Sequence, residues 1–144
     1  MESLTTDELR DATDYYVQKL VSAWVRYGKI IICVDYDQTI LPYQGFERKL
    51  CKIVVDTIKE AQTIGATVIL FTCRDGGLLQ KAKDHCDKLD LHFDQVNPKE
   101  PFQQGYSHKP YCNIMLDDKA GLLSALEILQ KAIKIYRKYE AYNQ

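Results

Sequence analysis

The segment Lys29 to Ile40, K-I-I-I-C-V-D-Y-D-Q-T-I, drives the chain's most apolar run into two carboxylates one residue apart, Asp35 and Asp37. Burying either charge unpaired costs on the order of several kcal/mol. The acids must therefore stand where the run leaves the core, or be paired. Ile30 to Val34 is short, rich in β-branched residues and free of polar alternation, so it reads as a strand covered on both faces. The pattern recurs. Thr67 to Phe71 is a second buried strand ending at Thr72, and Asn113 to Leu116 is a short strand ending in Asp117-Asp118. Leu91 to Val96 reads as a weaker strand.

Helical spacing separates these runs. Thr5 and Glu8 stand at capping-box spacing, and Leu9, Ala12, Tyr16, Leu20 and Trp24 follow as a stripe that ends near Gly28. Leu50, Ile53, Val54, Thr57, Ile58 and Ala61 mark a second helix closed by Gly65. Gly76-Gly77 reads as a chain break before a third helix through Leu78, Leu79, Ala82, Cys86 and Leu89. A last helix carries Leu122, Leu126, Leu129, Ile133 and Tyr136, while residues 97–110, with Pro98 and Pro101, read as irregular. Strands alternating with helices imply an α/β fold, a Rossmann-like three-layer sandwich around a mainly parallel sheet. Ligands in such sheets bind outside the carboxyl ends of the strands. Asp35, Thr72 and Asp117 would meet along that rim.

Composition narrows the class. At 144 residues, 46% hydrophobic and 27% charged, the chain suits one globular domain. A net charge of -1 gives no global pull toward nucleic acid or an anionic membrane. The five cysteines include no C-x-x-C pair, which argues against a zinc ribbon. Their odd number and the apolar neighbours of Cys33 and Cys73 favour buried free thiols in a reducing compartment. No basic-then-apolar leader opens the chain and no apolar run is long enough to span a bilayer, so the expected location is cytoplasmic.

Up to four negative charges, Asp35, Asp37, Asp117 and Asp118, would then share one rim. A divalent cation relieves such repulsion, and all-oxygen ligands suit Mg²⁺. A carboxylate such as Asp35 can attack phosphorus, with Asp37 as general acid and base. Thr72 can hydrogen-bond a phosphoryl oxygen, and a lysine can neutralise developing charge. T-C-R-D-G-G at Thr72 to Gly77 adds Arg74 as a phosphate or substrate contact, and Asn97 is a further rim candidate.

Three segments carry a family likeness. D-Y-D-Q-T at Asp35 to Thr39 resembles the first motif, D-x-D-x-T, of the haloacid dehalogenase-like phosphohydrolases. V-I-L-F-T at Val68 to Thr72 resembles their second, and I-M-L-D-D at Ile114 to Asp118 their fourth. The resemblance covers roughly residues 29 to 130 and leaves residues 1–28 as a helix appended to a core of residues 29–144. It implies phosphomonoester hydrolysis through an aspartyl-phosphate on Asp35, with Asp37 as acid and base. It implies Mg²⁺ held by the Asp35 side chain, the Asp37 backbone carbonyl and a carboxylate of Asp117 or Asp118. The third-motif lysine is Lys109 by sequence match, in G-Y-S-H-K-P-Y-C-N-I-M-L-D-D, or Lys99 by its position after the third strand. Gln38 stands where the family usually has Gly.

Neither residues 39–50 nor residues 72–91 have room for a cap domain, so the likeness is to the cap-less branch. An open site implies a phosphorylated small molecule or an exposed phosphate end group, nucleic-acid ends included, or a second copy of the chain covering it. A phosphotransferase is a variant of the same chemistry. The other class of reading is a binding or scaffold protein on this fold with little turnover. A phosphorylated receiver domain fits poorly, because its acid pair comes first and its lysine last.

Overall fold

The computed structural model describes residues 1–98 and 111–144. Its elements run α1 (Thr6–Tyr27), β1 (Ile30–Val34), α2 (Glu47–Thr63), β2 (Ala66–Leu70), α3 (Gly76–Lys88), β3 (Gln95–Val96), β4 (Ile114–Leu116) and α4 (Leu122–Tyr142). Four parallel strands stand in the order β3-β2-β1-β4, flanked by the four helices of a Rossmann-like three-layer α/β sandwich. Ile32, Val34, Val68, Leu70 and Leu116 point into one apolar core with Trp24, Val54, Ile58 and Leu129. Cys33 and Ile69, paired in register, alternate to the other face outside that core and are also fully buried. Both faces are therefore covered, as the unbroken apolar runs require. Cys73, expected to be buried like Cys33, is exposed instead, because it lies past the end of β2 in the connection to α3.

α1 starts with the expected capping box, in which Thr5 Oγ1 accepts from the Glu8 N–H and the Glu8 carboxylate accepts from the Thr5 N–H. Gly28 ends it in the left-handed region at φ 70°. The expected stripe holds only in the helix's second half: Leu20 and Trp24 are buried with Val17 and Val21, but Leu9 and Tyr16 are exposed. α1 packs chiefly on α4, where the Trp24 ring stacks on Tyr136 at 4.8 Å and its indole N–H donates to the Ile64 carbonyl. The first turns extend past that contact into solvent.

Two further expectations are corrected. Gly76 and Gly77 open α3, because Asp75 serves as N-cap and accepts from the Gly76 N–H at 2.7 Å. The third strand shrinks to Gln95–Val96 because a side chain stands in for the ladder. The Asp94 carboxylate accepts from the Val68 N–H at 2.7 Å, while the Asp94 N–H donates to the Val68 carbonyl. β4 begins late for the same reason, with Asn113 Oδ1 accepting from the Ile31 N–H at 2.7 Å.

β1 joins α2 through residues 35–46, and β2 joins α3 through residues 71–75, so neither connection holds a further domain. Val34 pairs with both Leu70 and Leu116, which brings three strand ends level. No described helix is long and apolar enough to cross a membrane.

Candidate active site

Level strand ends decide which side chains meet. Asp35 and Asp117 each lie one residue past the Val34–Leu116 pair, and the Asp35 N–H donates to the Leu116 carbonyl at 2.9 Å. Carboxylate oxygens of Asp35, Asp117 and Asp118 all lie within 4.8 Å of one another. Thr39, fully buried, fixes the far side by accepting from the Asp118 N–H at 3.1 Å. Lys119 N–H donates to the Asp117 carboxylate at 2.9 Å. Burial raises the Asp35 pKa to about 7, and the nearby charges of Asp117 and Asp118 push it the same way. Three hard oxygen donors at half-buried positions form a set that a divalent cation can occupy.

Asp37 stands apart from that cluster. Its carboxylate forms an ion pair with Arg74, whose Nη2 donates at 2.7 Å and whose Nε donates to both oxygens at 3.1 and 3.0 Å. The Tyr43 hydroxyl donates to it as well, at 2.8 Å. The Arg74 contact holds the Asp37 pKa below the ordinary carboxylate value. Arg74 is in turn stacked on the Tyr36 ring, 4.7 Å from its centroid, and the Tyr36 hydroxyl meets His85 Nδ1 at 2.8 Å. Arg74, expected to meet substrate, is thus engaged by the residue expected to be the acid and base.

Thr72 is half-buried at the rim, and its Oγ1 accepts from the Arg74 N–H at 3.1 Å. Asn97 Oδ1 accepts from the Thr72 N–H at 2.8 Å, so Asn97 buttresses Thr72. Lys99 and Lys109 lie outside the described residues.

Sequence reasoning left four contributors unassigned: Thr39, Tyr43, Glu47 and Tyr36. Thr39 had a signal, as the last letter of D-Y-D-Q-T. Buried Glu47 accepts from the Tyr43 and Gln44 N–H groups and so shapes the loop that presents Tyr43. Nothing in the spacing of these residues announces that contact. A cleft of about 320 Å³ opens beside the acids between the starts of α2 and α4 and includes Gln38, Phe46 and Asp118. A larger cavity of about 660 Å³ lies against β4, α1 and α4, and none of the four acids lines it.

The fold and rim define an α/β protein with an acid cluster at the carboxyl ends of parallel strands. No family model and no curated protein matches the sequence. A solved structure of a conserved protein from Bacteroides thetaiotaomicron is 30% identical, with a TM-score of 0.58, over 74% of this chain and 91% of that one. The chain belongs to the family of that conserved protein.

Proposed function

We propose that the protein is a Mg²⁺-dependent phosphomonoester hydrolase working through an aspartyl-phosphate on Asp35, as its haloacid dehalogenase-like motifs imply. The observation that carries this reading is the convergence of Asp35, Asp117 and Asp118 within 4.8 Å. Carboxylates this close repel one another, and without a cation, burial and the two neighbouring acids push Asp35 toward its protonated form. Asp35, the Asp37 backbone carbonyl and Asp117 or Asp118 would hold Mg²⁺. When bound, the ion would cancel their repulsion and draw charge from phosphoryl oxygens.

The chain's own groups supply the rest. An Asp35 oxygen attacks phosphorus as the bond to the leaving oxygen breaks. Asp37 gives that oxygen a proton, then takes one from the water that cleaves the acyl phosphate. Thr72 can donate its hydroxyl proton to a phosphoryl oxygen while still accepting from the Arg74 N–H. Lys109 or Lys99 would offset the remaining negative charge. The Asp37–Arg74 pair must open before Asp37 can carry a proton. A phosphoryl group competing for Arg74 is the natural means. The open rim suits a phosphorylated small molecule or an exposed phosphate end group, nucleic-acid ends included, in the cytoplasm. A second copy of the chain could cover it.

The closed pair also favours a second reading, a binding or scaffold protein on this fold with little turnover, since a locked Asp37 is a poor proton donor.

The test is hydrolysis of an aryl phosphate with Mg²⁺ by the wild type and Asp35→Asn. Turnover should vanish in the variant while its circular dichroism is kept, and should stop in excess EDTA. Turnover retained by Asp35→Asn rejects the nucleophile, and turnover in EDTA removes the metal. Wild-type protein inert on aryl, sugar and nucleotide phosphates would favour the scaffold reading.

A further inference from the structure

We infer that the cleft beside Asp118 is the leaving-group subsite of this centre, and that it takes a flat, uncharged aromatic group. The inference rests on the phosphoester reading and names its substrate class. Position comes first. Asp118, whose carboxylate lies within 4.8 Å of Asp35, is also a wall of the cleft. Gln38, the chain neighbour of Asp37, lines the same cleft, so the opening borders residues next to both reacting acids.

The walls set the chemistry. Phe46 precedes α2 and Leu123 lies in the first turn of α4, and both line the cleft. They are 83% and 69% exposed. One exposed apolar side chain is ordinary. Two on the helices flanking one cleft, beside the reacting acids, offer a surface for a ring to stack on. Leu50 and Leu122 extend the apolar floor. The charged groups lining the cleft are Glu47 and Asp118, both acids, so a second anionic group is disfavoured there. Size agrees. The cleft's volume of about 320 Å³ exceeds the roughly 150 Å³ that accommodates benzene.

The test compares benzyl phosphate with ethyl phosphate, whose leaving groups have similar acidity, in the wild type, Phe46→Ala and Leu123→Ala. Exposed Leu9 on α1, which does not line the cleft, supplies the control Leu9→Ala. The benzyl-to-ethyl ratio of kcat/KM should exceed about tenfold in the wild type and fall by about that factor in Phe46→Ala, as expected for one lost stacking surface. Leu9→Ala should keep the wild-type ratio. A ratio near unity, or one that Phe46→Ala leaves unchanged, overturns the subsite while the phosphatase stands. If neither ester is turned over, the aryl, sugar and nucleotide phosphates decide the phosphatase reading, and calorimetry with benzylphosphonate and ethylphosphonate decides the cleft. Tighter benzyl binding that Phe46→Ala abolishes upholds an aromatic site, whereas equal or absent binding overturns it.

Discussion

Asp35 is an ordinary aspartate in sequence and an unusual one in place. Burial and the neighbouring Asp117 and Asp118 carry its pKa to about 7, well above the unfolded value. The folded, metal-free chain therefore binds more protons than the unfolded chain between about pH 4 and pH 7. The stability that Asp35 contributes is fully present below about pH 4 and is lost as pH rises through about 7. In EDTA, the melting temperature should fall between pH 5 and pH 8, and Asp35→Asn should flatten that fall. An equal slope in wild type and variant would place the titrating group elsewhere. Gln38 is a second case. It sits at φ 59°, in the left-handed region that glycine favours, with its N–H donating to the Leu41 carbonyl at 2.8 Å. Gln38→Gly should leave stability unchanged or raise it by up to about 1 kcal/mol in urea unfolding. A clear loss would mean that the long contact from Gln38 Nε2, which donates to the Glu47 carboxylate at 3.5 Å, matters more than the strain. At this scale the two acids were legible because an apolar strand cannot hide them. The partner of Asp37 was not, because Arg74 lies 37 residues away and only the fold joins them.

The elements were legible wherever periodicity and capping agreed, as at Thr5, Gly28 and Ile30 to Val34. They were misread where a polar side chain replaces a backbone partner. Asp75 turns a glycine pair into a helix start, and Asp94 and Asn113 shorten the edge strands by taking N–H groups of the central ones. Gly65 shows an element boundary set by a distant element. At φ 98°, a Cβ there would stand 2.5 Å from the Gly28 carbonyl oxygen. The ends of α1 and α2 meet at that point, just before Ile30 pairs with Ala66. Gly65→Ala should cost roughly 2 kcal/mol or more, from a strained backbone and a clash with an atom that cannot swing away. Chemical denaturation would read it, and a loss below about 0.5 kcal/mol would mean that the two ends move apart freely.

For the whole molecule, the arrangement of strand ends is what assembles the candidate site. β1 and β4 are distant in sequence and adjacent in the sheet, which makes one cluster from Asp35, Asp117 and Asp118. The remaining charge partner is tested by substitution. Lys99→Ala and Lys109→Ala should differ, one lowering kcat at least about 100-fold and the other within a few-fold of wild type. Equal mild effects would mean that neither serves the phosphoryl group.

The sequence by itself determined that this is an α/β chain with buried parallel strands and acids at their ends. Unbroken β-branched runs must be covered on both faces, and a charge cannot follow them inside. Tertiary structure alone decided which acids share a site and which does not. Strand order and register place Asp35 beside Asp117 and Asp118, and a loop shaped by Glu47 turns Asp37 toward Arg74 and Tyr43. Local periodicity carries no record of those distances, because they are set by hydrogen bonds and packing between segments far apart in the chain.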